Sequence, residues 1–545
     1  MSSLTFIKHC KSEFNFLKNP IDSSSRIASH IKIPSFGYLT PLTLHLFNNN
    51  SLIKSTVKFN IKEFENDAKI LFLILNDADN ILGQVGICID ENSIKKFKIE
   101  FENISFYNDV LTGSDISNIF KELIKWTRSV LFPEEIFIKA PTKFKILLDT
   151  LTKIGFVNTL DSDSDHSLMK LGIDKSIGQE MILTAGPSIG SREKVFALDA
   201  ATNGWNNQWS KYLNDFEKKF AEYVGVKYAI ATSSCTGALH ISLNALGIGP
   251  GDEVIVPEVT WVASANAIRF VGATPVFAEI DKKTWNISAD SIEKLITKNT
   301  KAIIPVHLYG NPCDMDKIMK IAKAHNLFVV EDAAPSIGAE YKGKKTGSFG
   351  DFAAFSFQGA KLAVTGEGGM ICTNDDELYK KAYRIWDQGR IPGTFWIEEL
   401  GVKYKMSNIQ AALGLGQIIR NDSMVEAKRR INNWYKERIG NHPALDFWQE
   451  DENSKCIYWM TNIRLNENAK ISREEFCNKL KDLKIDTRPV FPAISQYPYW
   501  PKKQDPQPIA SEVGATGINL PSGVALNKDQ INYVCDKIIE ILNNH

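Results

Sequence analysis

Short apolar strands alternate with amphipathic helices through the middle of the chain, and this alternation restricts the possible folds more than any other feature. Strands are predicted, each after a helical stretch or a turn, at residues 227–231, 253–257, 274–280, 301–306 and 327–332. Strands that are apolar along their whole length are typical of a parallel sheet covered by helices on both faces. Such sheets bind ligands beyond the carboxyl ends of their strands, so the residues that follow each strand are the first candidates for a site.

The chain is too long for a single hydrophobic core. It has 545 residues, whereas single cores stop growing near about 250–300 residues. Residues 158–180 are polar and lack sustained periodicity, which predicts a linker. We therefore expect an N-terminal α/β domain over residues 1–157 and a second domain over residues 181–545.

Charge and cysteine content narrow the possible partners. Lysine plus arginine equals aspartate plus glutamate at 64 each, so the chain has no general basic field for a nucleic acid or an anionic membrane, and any phosphate site must be local. The eight cysteines are scattered without a metal-binding spacing, which predicts a reducing compartment and no metal site. The N-terminus lacks a signal-peptide pattern and no long apolar run occurs, so we expect a cytoplasmic protein without membrane spans.

Small hydroxyl residues follow the first predicted strand. Residues 232–238 read Thr-Ser-Ser-Cys-Thr-Gly-Ala and open a helix. Backbone N–H groups at a helix N-terminus are suited to an anion, although Ser and Thr also cap many helices that bind nothing. After the next strand come Thr260 and Trp261. The tryptophan ring either covers a flat ligand or belongs to the core.

A carboxylate pair and an isolated lysine complete the candidate set. Glu331 and Asp332 end an apolar strand, where a buried charge is costly unless it meets a cation such as a protonated ring nitrogen. The alternative is that Asp332 caps the next segment. Lys361 has only small and apolar neighbours at 359–360 and 362–364. Most lysines lie on the surface, but a desolvated lysine becomes a nucleophile.

Eight segments, taken in order and spacing, carry a family resemblance. They are SSCTGALH, VPEVTWVASANAI, PVHLYG, VVEDAAPSIGA, GSFGDFAAFSFQGAK, TGEGGM, KYKMSNIQAALGLGQ and TRPVFPAI. Together they resemble the DegT/DnrJ/StrS family of sugar aminotransferases over residues 186–545. The resemblance implies the fold-type I architecture of aspartate aminotransferase, with a mixed, mostly parallel sheet between helices. It also implies pyridoxal 5′-phosphate (PLP) as cofactor and a homodimer whose active sites are shared between subunits.

Three residues match family positions at the reactive end of the cofactor. Lys361 matches the lysine that binds PLP as a Schiff base and later moves a proton. Asp332 matches the carboxylate paired with the pyridine nitrogen, and Trp261 matches the aromatic residue that lies against the ring. The resemblance therefore implies that Lys361 and Asp332 are the catalytic pair.

Other residues match family positions that bind the phosphate of the cofactor. Thr236, Ser356 and the backbone N–H of Cys235 match the family's phosphate cradle. Asn408 matches the residue that reaches the phosphate from the neighbouring subunit. The resemblance thus implies a site that one chain does not complete by itself.

The residues expected near the substrate match the family pattern less fully. His307 and Arg488 occupy positions that the resemblance places near the substrate. Pro335 departs from the family pattern, which usually has glutamine and sometimes glutamate there. Because proline has no side-chain hydrogen-bonding group, contacts to the ring hydroxyl or the substrate are expected to differ from those of the family.

The implied reaction has two halves. L-Glutamate, the usual family donor, gives its amine to the cofactor, and a nucleotide-linked keto-sugar then accepts that amine. Family members with histidine at the position of Lys361 dehydrate the sugar instead, so the lysine favours transamination. A keto-cyclitol aminotransferase and a non-catalytic PLP-binding regulator are the alternatives.

The N-terminal segment has a resemblance of its own. Residues 39–157 resemble a GNAT-type acyltransferase in their order of strands and helices, and Lys-Ile-Gly-Phe at 153–156 resembles that family's frequent ending. The loop at 108–114 corresponds to the pyrophosphate loop but contains one glycine and Asp109. Two interpretations follow: a bifunctional aminotransferase and N-acyltransferase, or a degenerate module that docks or recognises substrate.

Overall fold

The computed structural model describes residues 177–500 and 504–545, and before them Ser117 and the separate strands and helix given below. The described residues group into two compact units. The first holds the described residues up to Gln179, with Ser188–Asn203 and Val524–Gln530. The second holds Glu180–Pro187, Gly204–Gly523 and Ile531–His545, apart from residues 501–503.

The first unit contains one mainly antiparallel sheet. Its strands are β1 (Leu44–His45), β2 (Thr56–Asn60), β3 (Ala68–Leu75), β4 (Ile81–Ile89), β5 (Lys98–Phe106), β6 (Glu135–Pro141), β7 (Phe156–Asn158) and β8 (His166–Leu171). Their spatial order is β1-β2-β3-β4-β5-β6-β8-β7, and only β5 and β6 pair in parallel. Helix α1 (Lys145–Lys153) lies between β6 and β7 in the chain.

Strand β8 corrects one prediction. It lies inside the segment 158–180 that the sequence predicts as a linker, and it pairs with both β6 and β7. Pairing on two sides stabilises a short strand whose own pattern is weak. The linker is therefore shorter than predicted. The loop at 108–114 lies outside the described residues.

Residue 191 begins a series of helices and strands, which alternate from residue 211 to residue 332. They are α2 (Ser191–Asn203), α3 (Lys211–Val224), β9 (Tyr228–Thr232), α4 (Cys235–Ala245), β10 (Glu253–Pro257), α5 (Ala263–Phe270), β11 (Thr274–Ala278), α6 (Ala289–Leu295), β12 (Thr300–Ile303), α7 (Met315–His325), β13 (Phe328–Asp332), β14 (Glu340–Tyr341), β15 (Lys344–Lys345), β16 (Phe352–Ser356) and β17 (Gly369–Thr373). Three further helices follow: α8 (Asp376–Trp386), α9 (Asn408–Ile419) and α10 (Asn421–Ile439).

The central sheet of the second unit has seven strands in the order β11-β10-β12-β13-β16-β17-β9. The four pairs from β11 to β16 are parallel, whereas β17 runs antiparallel to both of its neighbours. All residues of β16 and β17 are buried, as expected of a sheet covered on both faces. The predicted mixed, mostly parallel sheet is confirmed.

Aromatic packing holds helix α3 against this sheet. Phe220 packs edge-on against Phe355 of β16, with 4.9 Å between ring centroids. Phe216 packs against Phe357, just beyond the same strand, at 5.1 Å. Rings of this size bury much apolar surface, so they fix the end of β16, where Ser356 and the loop to Lys361 begin.

The C-terminal part of the second unit forms a small antiparallel sheet with the order β18-β20-β22-β21. The remaining elements are β18 (Leu445–Asp446), β19 (Ser454–Lys455), β20 (Thr461–Leu465), α11 (Arg473–Asp482), β21 (Arg488–Pro489), α12 (Pro508–Thr516), β22 (Gly517–Leu520) and α13 (Lys528–Asn543). Strand β19 instead pairs with β14. Among the helices that the structure describes, none is long and apolar enough to cross a membrane.

Candidate active site

A cavity of about 410 Å³ lies in the second unit, beside the carboxyl ends of β13 and β16. The loops that follow β9, β10, β13 and β16 supply most of its wall. Six side chains or backbone groups predicted from the sequence line it: Cys235, Thr236, Trp261, Asp332, Ser356 and Lys361. The fold thus brings together residues that are spread over more than one hundred positions of the chain.

The start of helix α4 forms one end of the cavity. Ser234 caps the helix, since its Oγ accepts the backbone N–H of Gly237 at 3.0 Å. The first N–H groups of a helix have no acceptor within the helix, so those of Cys235 and Thr236 are available to an anion at this point. A side chain at Gly369 of β17 would place its Cβ 2.5 Å from the backbone of Ser234. Glycine at this position therefore lets α4 begin close against the sheet.

Asp332 ends β13 and is buried, with 5% of its surface exposed. Its Oδ2 accepts the hydroxyl of Ser264 at 2.6 Å, and its Oδ1 accepts the backbone N–H of Ala334 at 3.1 Å. Burial raises the pKa of Asp332, against the opposing effect of these hydrogen bonds and of the Lys361 charge. A protonated ring nitrogen beside this carboxyl would offset the cost of burying its charge.

Lys361 lies in the loop between β16 and β17. Its backbone N–H donates to the carbonyl of Gln358 at 2.8 Å. Loss of hydration lowers the pKa of the Lys361 amine to about 8, although the charge of Asp332 opposes the shift. The Nζ atom lies 3.8 Å from the ring centroid of Trp459. The amine is therefore covered by an aromatic face and has a larger neutral fraction near neutral pH than an ordinary lysine.

His307 does not line the cavity. It is fully buried, and its Nε2 lies 3.0 Å from Oε2 of Glu331. Its Nδ1 accepts the backbone N–H of Cys313 at 3.0 Å, so Nε2 carries the proton and donates to the carboxylate. Glu331 also accepts three backbone N–H groups from residues 347–350. His307 and Glu331 thus form a buried polar network behind Asp332 rather than a substrate contact.

Asn408 and Arg488 also lie away from the cavity of their own chain. The Oδ1 atom of Asn408 accepts the backbone N–H of Tyr212 at 2.9 Å. Arg488 is exposed, and its nearest carboxylate is Asp486 at 3.5 Å. Neither residue is among those that line the cavity.

Several wall residues are not predicted from the sequence. Trp459 and Phe491 line the cavity, and Tyr309 lies between them, with its ring centroid 5.8 Å from each. No local signal marks these aromatic residues, because segments distant in the chain bring them together. Ser264 does have a signal: it is a hydroxyl residue one turn after Trp261 at the start of a helix. Pro335 lines the cavity and gives it an apolar patch.

The sheet, the lysine, the buried carboxylate and the helix N-terminus define the chain as a PLP-dependent aminotransferase of fold type I. Its site suits the cofactor, because anion donors, a partner for a ring nitrogen and a nucleophilic amine meet in one cavity. The chain belongs to the DegT/DnrJ/EryC1/StrS aminotransferase family, whose model matches residues 187–539.

The most similar relatives include two GDP-perosamine synthases. The protein from Caulobacter vibrioides is 43% identical over 371 residues, which cover 66% of this chain and 98% of the relative. The protein from Escherichia coli O157:H7 is 44% identical over 359 residues, with 66% and 98% covered. Among solved structures, DesI in the presence of its TDP-sugar product is 28% identical, with a TM-score of 0.62, and the match covers 67% of this chain and 94% of DesI.

Proposed function

We propose that this enzyme transfers the amino group of L-glutamate to a nucleotide-linked keto-sugar, with Lys361 and Asp332 as its catalytic residues. The observation that carries the proposal is one cavity that joins a lysine of lowered pKa, a buried carboxyl and the start of α4. The relatives named GDP-perosamine synthase favour a GDP-linked sugar. The product would be an amino-sugar nucleotide for a surface polysaccharide or glycoconjugate.

The start of α4 would hold the phosphate of the cofactor. The backbone N–H groups of Cys235 and Thr236 and the hydroxyls of Thr236 and Ser356 are the donors available there. Burial raises the pKa of the Cys235 thiol well above its usual range, so that side chain adds no negative charge beside the phosphate. Trp261 would lie against the ring.

Asp332 would keep the ring nitrogen protonated. When bound, PLP supplies a carbonyl carbon that exchanges amines and a ring that takes up the electron pair released at the amine-bearing carbon. A carboxylate whose other contacts come from Ser264 and the N–H of Ala334 is fixed in direction before the reaction begins. It therefore needs little rearrangement to stabilise positive charge on the ring.

Lys361 would move a proton between the amine-bearing carbon of the amino acid and the reacting carbon of the cofactor. A general base works best when its pKa is near the working pH, and burial brings the pKa of Lys361 to about 8. The same amine would hold the cofactor between turnovers. The cover of Trp459 limits the access of water to the amine.

Two features support a shared site in a homodimer. An exposed apolar segment includes Phe395, Trp396 and Leu400, which are 97%, 70% and 93% exposed in the single chain. Such segments are typical of protein interfaces. Asn408 and Arg488 do not line the cavity of their own chain, so they would act on the cavity of a second copy or on a substrate that extends beyond the wall.

The mouth of the cavity would receive the sugar. Trp261 is 59% exposed and packs against Phe491 at 5.7 Å between ring centroids. Pro335 also lines the cavity and provides an apolar contact where the family usually has glutamine. A hexose with a deoxygenated carbon would suit this patch better than one with a full set of hydroxyls, because an unpaired hydroxyl loses its hydration there.

A spectroscopic titration tests the proposal. Purified protein loaded with PLP should be yellow, and L-glutamate should bleach it in one turnover. Addition of a GDP-linked keto-sugar should restore the colour, whereas a keto-cyclitol should not. A protein that binds PLP but never bleaches would be a PLP-binding regulator, and the proposal would fail.

A further inference from the structure

A second lysine lies buried behind the cavity. Lys428, on helix α10, is 5% exposed. Its Nζ donates to the backbone carbonyl of Trp459 at 2.7 Å and to that of Ser522. Among the residues that the structure describes, no carboxylate pairs with it. A buried lysine that bonds only to carbonyl oxygens needs an explanation, because apolar residues could fill the same volume at lower cost.

The first acceptor belongs to the residue that covers Lys361. The Trp459 indole lies over the Lys361 amine, and its Nε1–H donates to the carbonyl of Ala360 at 2.8 Å. Its backbone N–H donates to the carbonyl of Tyr309 at 2.9 Å. Three hydrogen bonds with described residues thus fix this tryptophan, and among them only the one from Lys428 is supplied by another side chain.

The second acceptor ties the same region to the C-terminal sheet. Ser522 follows β22, and its hydroxyl accepts the backbone N–H of Thr461 at the start of β20. Lys428 therefore bridges the chain just before β20 to the chain just after β22. Both carbonyls would be buried without a donor if the amine were removed, and a buried acceptor without a donor destabilises the folded chain.

We propose that Lys428 is a positioning residue for the reaction: it holds the backbone of Trp459 so that the indole stays over the Lys361 amine. The inference rests on the proposed role of Lys361. Lys428 is not among the residues that line the cavity, and it acts through Trp459.

The protonation of Lys428 agrees with this role. Burial lowers the pKa of Lys428 to about 7. A neutral amine has two N–H groups, which match its two carbonyl acceptors. The site can therefore hold the amine near neutral pH without the full cost of a buried charge.

Loss of this contact should change the chemistry of Lys361 in a specific direction. If the indole moves, water reaches the Lys361 amine. The loss of hydration that lowers the pKa of this amine is then smaller. The pKa of Lys361 should then rise toward the ordinary lysine value of about 10.4. Less of the amine would be neutral at the working pH, so the proton transfer would slow.

The experiment compares Lys428→Met with Lys436→Met. Both lysines lie on α10, but the Nζ atom of Lys436 lies over the ring of Tyr458, 5.3 Å from its centroid, whereas that of Lys428 donates to the carbonyl of Trp459. In the PLP-free chain, the reaction of Lys361 with an amine-selective reagent is followed against pH by peptide mass. We expect the apparent pKa of Lys361 to rise by about one unit in Lys428→Met, a tenfold change in neutral fraction, and to stay unchanged in Lys436→Met.

Three further variants make the result specific. Lys428→Gln keeps two N–H donors and should restore most of the wild-type pH profile. Trp459→Leu should raise the apparent pKa of Lys361 as Lys428→Met does. The double variant Lys428→Met/Trp459→Leu should shift the pKa of Lys361 little more than either single variant does, because both substitutions act through one contact. Purely additive shifts would show that Lys428 acts independently of Trp459.

The outcome separates this inference from the proposed function. Borohydride reduction of the PLP-loaded wild-type protein should attach the cofactor to the Lys361 peptide. Attachment elsewhere would contradict the proposed function itself. Attachment at Lys361 with the same pH profile in wild type and a folded Lys428→Met protein would overturn only the role of Lys428.

Discussion

Lys361 and Asp332 respond to the same burial in opposite directions. Burial lowers the pKa of the lysine to about 8 and raises that of the aspartate, since it disfavours the charged form of each. Each charge also partly offsets the burial of the other. A protonated ring nitrogen beside Asp332 would favour the charged form of this carboxyl and so oppose the rise of its pKa. In the proposed reaction, Lys361 would therefore transfer the proton, and Asp332 would keep the ring nitrogen protonated.

The sequence predicts a candidate residue when its neighbours along the chain are unusual for a residue of that type. Asp332 ends an apolar strand, and Lys361 lies among small residues, so each stands out locally. Trp459 does not, because its contact to the Lys361 loop joins residues 99 positions apart. The aromatic wall and Lys428 follow only from the folded chain.

Asp332→Asn should slow the half-reaction with glutamate by about 10²–10⁴-fold, the range typical of a lost proton-transfer or charge-stabilising group. Its affinity for PLP should change much less, because the contacts at α4 and Lys361 remain. Single-turnover absorbance with glutamate and a PLP titration measure the two effects separately. A near wild-type rate would mean that the carboxyl only caps the segment after β13.

Elements differ in how clearly the sequence reveals them. The predicted strands between residues 227 and 332 correspond to β9–β13, because strands covered on both faces must be apolar throughout. The small C-terminal sheet has no such signal: β18 and β21 have two residues each. Strand β8 is missed for a similar reason, since its stability comes from its partners in the sheet.

The junction of α4 with β17 is the element contact on which the cavity depends. Gly369→Ala would place a methyl group 2.5 Å from the backbone of Ser234, so the start of α4 must move. We expect weaker PLP binding and a loss of about 1–3 kcal/mol in the free energy of unfolding, as for other overpacked sites. Gly249→Ala, whose added Cβ would have its nearest neighbour at 3.8 Å, is the control.

Equilibrium unfolding in urea and PLP titration measure both effects. Equal behaviour of the two glycine variants would show that the approach of α4 to the sheet is not what shapes the phosphate end of the cavity.

At the scale of the whole molecule, the chain is longer than the part that matches the aminotransferase family. The family match begins at residue 187, and the first unit contains the eight-stranded sheet. The GNAT-like interpretation of residues 1–157 stays a prediction, since its loop at 108–114 lies outside the described residues.

Residues 181–545, expressed alone, should keep the glutamate half-reaction, while residues 1–175 should bind acetyl-CoA weakly at best. Asp109 and Asp115 place negative charge beside the predicted pyrophosphate loop, and like charges disfavour a phosphate ligand. Calorimetry with acetyl-CoA measures this binding. Tight binding together with acetylation of the amino-sugar product would establish a bifunctional enzyme. A change only in the KM for the sugar nucleotide would indicate a recognition module.

The shared site predicts complementation between inactive chains. Lys361→Ala and Asn408→Ala chains should each be inactive as homodimers. In a mixed dimer one site carries both wild-type residues, so up to one site per heterodimer should work. Activity of purified, differently tagged heterodimers is the readout. An inactive heterodimer of verified composition would mean that Asn408 serves its own chain.

Isotope transfer tests the central claim most directly. The PLP-loaded protein is incubated with ¹⁵N-labelled L-glutamate and a panel of GDP- and TDP-linked 3-keto and 4-keto sugars, and the products are analysed by mass spectrometry. The account predicts a ¹⁵N-amino sugar nucleotide with a GDP-linked substrate, equimolar 2-oxoglutarate, and no transfer in Lys361→Ala. Label transfer that persists in Lys361→Ala, or its absence with every nucleotide sugar while a keto-cyclitol accepts it, would contradict the account.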